Sequence, residues 1–260
     1  MIELKRSEFA LAAPLFAGIN HNVPIVFSVL EGTAAGRVFV DDVDDVDYVD
    51  CVDRADCPRS AFVAVGGAFS YVAGDETDDA FDRALVALIF ESLLPSQEEQ
   101  ELVLFAFTDA WRARLDQLLA PKGAIRIHRK TFAFDAAHAP DFRLWRSRMP
   151  AGYRMESTGV VAGDPRFGVR LMKDDVVLSE CTAVFVGRGE AEIDIHTDEN
   201  HRNLGLGTIT ASAFLEECFS RGLRPSWTCW PEREASIALA KKLGFVEGVD
   251  VPAHLWAPDL

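Results

Sequence analysis

The spacing of apolar residues divides the chain into stretches with a period of about 3.6 residues and stretches that alternate every second residue. Helical spacing covers Ser7 to Gly18, Asp79 to Leu94, Asp109 to Leu119, Leu206 to Ser220 and Glu232 to Leu243. In the second of these Phe81, Leu85, Leu88 and Ile89 fall on one side, as an amphipathic helix requires. Gly222 and Gly244 stand where the last two helices should stop. Extended segments are predicted for Pro24 to Leu30, Arg37 to Val40, Ala61 to Val65, Phe69 to Ala73 and Glu101 to Thr108. A second series follows at Ile125 to Phe134, from Tyr153 onward, and at Phe167 to Met172, Val176 to Val186, Glu190 to Thr197, Arg224 to Cys229 and Ala253 to Trp256. Lys173-Asp-Asp175 and Gly187-Arg-Gly189 read as tight turns between antiparallel strands. Asp141 to Arg148 reads as a short helix or an extended linker.

These elements make an α/β (α+β) chain with a mixed, mostly antiparallel sheet flanked by helices. Pro121-Lys-Gly123 breaks the pattern and sets an expected boundary. On that reading residues 1–122 form an N-terminal α/β domain and 123–260 a second domain. The same coarse order of helix, paired strands and helix recurs in the first half, which makes it a candidate degenerate copy of the second.

Composition narrows the partners. The chain carries 41 acidic and 26 basic residues, a net charge of -15. That excludes nucleic acid or an anionic membrane as the main partner. No apolar run has the length of a bilayer span, and the N-terminus lacks a basic region followed by an apolar one, so neither a membrane span nor a signal peptide is expected. Cys51, Cys57, Cys181, Cys218 and Cys229 are scattered without disulfide or zinc spacing, which fits a reducing cytoplasm. The acidic stretch Asp41 to Asp53 has two readings, divalent-cation binding and a solvated loop. It lacks the glycine at the sixth place of the calcium loop, so the solvated loop is preferred and no metal is assigned.

The chemistry lies further on. Strand Glu190-Ala-Glu-Ile-Asp-Ile-His-Thr197 runs into Arg202-Asn-Leu-Gly-Leu-Gly207, which opens a helix. The first N–H groups of a helix have no partner inside it and, with the dipole, attract anions. Gly205 and Gly207 put no side chain in the way of a phosphate. The spacing differs from the Walker loop and from the dinucleotide glycine motif.

Arg202-x-x-Gly-x-Gly207 on this strand–loop–helix resembles the acetyl-CoA site of the GNAT acetyltransferase superfamily. The resemblance extends to Ser179-Glu-Cys-Thr-Ala-Val-Phe-Val186 upstream and to Glu234-Ala-Ser-Ile-Ala-Leu-Ala-Lys-Lys-Leu-Gly-Phe245 downstream. Pro225-Ser-Trp-Thr-Cys-Trp230 is similar to a two-part branch that includes zwittermicin A-resistance-like acetyltransferases. The likeness runs from Ile125 to Trp256.

It implies a GNAT-like fold and acetyl-CoA as co-substrate. The pyrophosphate would lie on Arg202, Asn203, Leu204, Gly205, Leu206, Gly207 and Thr208, and the pantetheine arm on the backbone of Ile195, His196 and Thr197, up to Asp198. Arg233 and Ser236 at the next helix start are further candidate contacts. Side chains alternate along a strand, so Glu190, Glu192, Asp194 and His196 share one face and Ile193 and Ile195 the other. Glu192 takes the place of the family's general base, with His196 and Asp194 behind it. Where many members carry a general-acid tyrosine this chain has Ala240, leaving Ser236 and Cys229 as candidates by location only. Arg233 replaces a usual asparagine. The segment Glu156 to Phe167 is too short for the usual acceptor-side helices, so the first half is expected to complete the acceptor cleft, with Tyr153, Trp145 and Trp230 as candidate lining. The implied activity is acetyl transfer from acetyl-CoA to an amine of a small molecule by direct attack on the thioester. The alternative is a non-catalytic acyl-CoA-binding sensor or regulatory module. A homodimer is left open.

Overall fold

The computed structural model describes residues 1–41, 57–137, 139, 141–159 and 166–260. They form two compact units. One comprises Met1–His21, Val26–His128 and Val251–Leu260, the other Asn22–Ile25 and Arg129–Asp250.

In the first unit the alternating stretches form β1 (Ile2–Glu3), β2 (Gly36–Val40), β3 (Ser60–Val65), β4 (Phe69–Gly74) and β5 (Leu102–Ala106). They pair in that order, antiparallel except for β4 and β5, which are parallel. A 3₁₀ helix covers Arg6–Phe16. Helix α1 (Val23–Leu30) is followed later by α2 (Asp79–Ala87), which passes through a π-helical turn at Leu88–Leu93 into α3 (Leu94–Ser96), and then by α4 (Asp109–Leu119). Phe81, Leu85 and Ile89 join Trp111, Leu115 and Leu119 in one core with Phe62 and Leu104. Pro24 to Leu30, expected as a strand, is helical. Its residues are buried on every side, so the helix shows no polar stripe from which a period could be read. Pro24 sits in its first turn, where a missing N–H costs nothing.

Strand β6 (Ile125–Phe134) runs from the first unit into the second at Arg129 and is followed by a 3₁₀ turn at Phe142–Leu144 and by α5 (Trp145–Arg148). Then come β7 (Tyr153–Thr158), β8 (Gly168–Lys173), β9 (Val176–Gly187), β10 (Glu190–Thr197), α6 (Leu206–Ser220), β11 (Arg224–Cys229), α7 (Glu234–Lys242) and β12 (Phe245–Trp256), whose residues from Val251 belong to the first unit. The sheet order is β6-β11-β10-β9-β8-β7, and only β10 and β11 are parallel. The two expected turns close hairpins with paired left-handed residues, Asp174 and Asp175 at φ 47° and 63°, Arg188 and Gly189 at φ 52° and 73°. That hand matches the strand twist. Helix α6 buries Ile209, Phe214 and Leu215 in a core with Leu171, Ala191 and Ile193. Phe167 stacks on Phe214 at 5.1 Å.

Both units thus contain an antiparallel hairpin, a helix, a strand parallel to the second hairpin strand, and a helix. The strands that close them are exchanged. The strand following α4, β6, pairs with β11 through Lys130–Ala133. The strand following α7, β12, pairs with β5 through Ala253–Trp256. The compact units therefore depart from the 1–122 and 123–260 division, because the last ten residues of the chain return to the first unit.

Candidate active site

Strands β10 and β11 pair at only three rungs, Glu190 with Arg224, Ala191 with Pro225 and Glu192 with Ser226. Beyond Glu192 the strands part, β10 running on to Thr197 and β11 to Cys229. A wedge opens with Glu192 and Ser226 at its apex. On its other side β10 slips register against β9 at the same place. Glu192 faces Phe185 and Ile193 faces Ala183, so Val184 is passed over. Such a bulge bends the pair and re-aims the strand end. In the first unit the corresponding pair, β4 and β5, stays in register from Phe69–Val103 to Val72–Ala106, the last residue of β5. No comparable wedge opens between those strands.

The loop after β10 is held from both ends. Asp198 Oδ1 accepts from the N–H of Asn200 at 3.1 Å and bonds His201 Nδ1 at 2.6 Å, which holds its carboxyl below the usual range. Buried Ser179 Oγ donates to the His196 carbonyl at 3.1 Å and lies 2.9 Å from Thr197 Oγ1. Asn203 and Gly205 adopt left-handed φ of 63° and 78°. Gly205 is the N-cap of α6, and among the described residues no side chain caps that helix. Helix α7 likewise lacks a side-chain cap, whereas α2 and α4 fill the position themselves. Asp78 accepts from the N–H groups of Ala80 and Phe81 at the start of α2, and Thr108 from that of Trp111 at the start of α4. The first N–H groups of α6 therefore receive no side-chain cap and can be met by water or by a bound anion. A Cβ on Gly205 would meet nothing within 4 Å, and one on Gly207 would stand 3.1 Å from Thr197 Oγ1. Arg202 lies beside the loop, its Nε 3.4 Å from the Thr197 carbonyl.

At the apex Glu192 is only 2% exposed. Ser226 Oγ donates to its Oε2 at 2.7 Å, and Thr228 Oγ1 donates to Oε1. Arg129 Nε donates to Thr228 Oγ1 at 2.7 Å, and the same guanidinium reaches within 3.8 Å of Glu192 Oε1. Arg129 also lies over the Trp230 ring at 5.0 Å. Burial pushes the Glu192 carboxyl up from the ordinary 4.5, against the pull of Arg129 and the two hydroxyls. A carboxyl raised in this way can accept a proton from an ammonium and release it again nearer neutral pH.

The other sequence-predicted residues separate. Asp194 and His196 are exposed further along β10, beyond the apex. Leu206 and Thr208 lie in the first turn of α6, and Leu204 is 61% exposed in the loop. Arg233 is exposed at the start of α7. Ser236 accepts from the Trp227 indole N–H at 3.1 Å, and Cys229 is buried with its thiol pushed up by burial. Ala240 is fully buried. Of the three aromatics expected to line a cleft, Trp230 adjoins the Glu192 cluster. Trp145 instead packs in the core with α6 and donates to Glu216 at 2.8 Å, and Tyr153 stands on β7 under Lys173. Asp41 is buried, its Oδ1 accepting from the N–H groups of Arg59 and Ser60. The rest of the acidic stretch, and residues 160–165 of the short segment before Phe167, lie outside the described residues.

Sequence reasoning missed Arg129, Ser226 and Thr228. The signal was Ser-Trp-Thr, two hydroxyls spaced by two on a buried strand, opposite a strand bearing glutamates at the same spacing.

Known proteins share this architecture. The GNAT acetyltransferase family matches residues 165–252. An uncharacterized N-acetyltransferase of Bacillus subtilis (strain 168), YdfB, is 28% identical over 250 residues, covering 85% of each chain. A GCN5-related N-acetyltransferase-like protein from Streptococcus suis 89/1591 shares the fold with a TM-score of 0.65 and 21% identity, over 97% of this chain and 100% of its own. A tandem GNAT protein from the clavulanic acid biosynthesis pathway, without acetyl-CoA, does so with a TM-score of 0.61 and 15% identity, over 96% and 93%.

Proposed function

We propose that this chain, which belongs to the GNAT superfamily and is an acyltransferase, transfers an acetyl group from acetyl-CoA to an amine of a small molecule. The observation that carries the reading is the wedge between β10 and β11, with an uncapped helix start on one side and a buried carboxylate at its apex. The reading assigns the pyrophosphate to Arg202 through Thr208, on the free N–H groups of α6. It assigns the pantetheine arm to the unpaired edge of β10 at Ile195 to Thr197. Arg233 and Ser236 are further candidate contacts at the start of α7.

Only an unprotonated amine can attack the thioester carbon, and an amine in water is mostly protonated. Glu192 is the proposed acceptor of that proton, directly or through water. The new C–N bond forms as the C–S bond breaks, and the thiolate leaves with CoA. Asp194 and His196 stand on the same strand face and remain second candidates for the base. Ser236 and Cys229 are the candidate proton donors to the leaving thiolate, by place alone. A non-catalytic sensor is set aside, since the chain is an acyltransferase. Cys181, Cys218 and Cys229 are buried and form no disulfide among the described residues, which suits a reducing compartment such as the cytoplasm. No helix among the described residues is long and apolar enough to cross a membrane.

The test is release of free CoA thiol from acetyl-CoA with and without a panel of polyamines, amino sugars and amino acids. Amine-dependent release with a mass-identified N-acetyl product is expected. Binding of CoA with no release for any amine would contradict the reading.

A further inference from the structure

A carboxylate as deep as Glu192 is costly unless its charge is compensated. The compensation here has a direction. Arg129 can only donate, and its Nε is given to Thr228 Oγ1 at 2.7 Å. The Thr228 hydroxyl has one proton, and with Arg129 on its lone pair that proton points to Glu192 Oε1. Ser226 gives its proton to Oε2 at 2.7 Å. Each carboxylate oxygen therefore receives one hydroxyl donor, an arrangement that suits the ionised form and that a protonated carboxyl would have to break. The guanidinium is itself fixed by the Trp230 ring at 5.0 Å. Its side chain is 12% exposed and 3.8 Å from Oε1, so its charge is little screened. Three adjacent strands, β6, β11 and β10, supply the parts.

We propose that Arg129 and Thr228 are positioning residues for the transfer. They form a clamp that keeps Glu192 ionised and orients it at the apex of the wedge. The proposal rests on the reading of Glu192 as the base. Other charges near the clamp are already committed. Glu190 on the same face of β10 is paired with Arg224 of β11 at 2.6 Å. Lys130, next to Arg129 on β6, is paired with Glu247 and Asp250. Asp194 on β10 is exposed, and the Cys229 thiol of β11 is pushed up by burial. Arg129 is thus the cation that acts on Glu192 directly.

The experiment is the pH dependence of kcat/KM for acetyl transfer by the full chain, for wild type, Glu192→Gln, Arg129→Met, Thr228→Val and Thr228→Ser. CoA affinity and melting temperature are measured alongside. Wild type should show an acid limb that Glu192→Gln lacks. Arg129→Met should move that limb up by about one pH unit or more. Thr228→Val should move it in the same direction by less, and Thr228→Ser should restore it. CoA affinity should hold within about twofold, because the clamp does not touch the cofactor loop. Thr228→Val keeps shape and charge, so it decides the matter if Arg129→Met fails to fold. A limb that disappears in Glu192→Gln but stays in place in Arg129→Met and Thr228→Val overturns the clamp and leaves the base. A limb unchanged in Glu192→Gln removes the base and the clamp together.

Discussion

Ser226 is the last residue of β11 to pair with β10, and across that rung its hydroxyl donates to the Glu192 carboxylate at 2.7 Å. The point where the parallel strands part is therefore also the point where a buried acid is held. In the proposed function, the backbone divergence would admit the ligand arm and the Glu192 side chain would accept the proton where that arm ends.

Replacing Glu192 by Gln should lower kcat by about 10²-fold or more while leaving the dissociation constant of CoA within about twofold. The sign of the pH effect follows from burial, which raises this carboxyl above 4.5. A base works only when ionised, so wild-type activity should rise with pH through a value above the ordinary carboxylate range. Steady-state rates from pH 5 to 9 test this, and an acid limb retained by the variant would count against the assignment.

His21 provides a stability prediction in the first unit. It is buried, and its Nδ1 finds no hydrogen-bond partner among the described residues. Burial, helped by the charge of Arg112, pushes it from 6.5 down to about 4. Below 6.5 the unfolded chain takes up a proton that the folded chain refuses. Stability should therefore fall as pH drops from about 6.5 to about 4, by up to roughly 3 kcal/mol from this group. On acidification the urea unfolding midpoint of wild type should fall relative to that of His21→Gln. Midpoints that stay a constant distance apart would contradict it.

The exchanged strands predict an effect at long range in sequence. Deleting Val251–Leu260 removes the partner of β5 at Leu102–Phe105, together with the His254–Asp116 and Trp256–Lys122 bonds. The bared strand edge should lose amide protection and promote aggregation. Hydrogen exchange at residues 102–105 reports this, and full protection in the truncated chain would refute the pairing.

What the sequence revealed and what it hid have physical reasons. Helices α2, α4, α6 and α7 and the loop from Arg202 to Gly207 were legible because their periods, caps and glycines are local signals. Helix α1 was misread because burial on all sides erases the period. The wedge was invisible, since it depends on where pairing stops and not on either strand alone. Arg129 was missed because it meets Thr228 from 99 positions away. Glu192 was singled out by likeness to a family, yet its hydroxyl partners were not, because Ser226 and Thr228 resemble ordinary strand residues until β10 is laid beside them. The strand exchange was hidden for the same reason as the wedge.

The central claim is that the wedge and the start of α6 hold acetyl-CoA. It is tested most directly by calorimetric titration of CoA into wild type and Gly207→Glu. A Cβ at this position points toward Thr197, Ile195 and Leu239, the nearest at 3.1 Å, so a glutamate there brings bulk and negative charge to the mouth of the loop. The account predicts a single CoA site in wild type and no measurable heat in the variant, with both chains folded by circular dichroism. CoA binding of wild-type strength by a folded Gly207→Glu chain would contradict it.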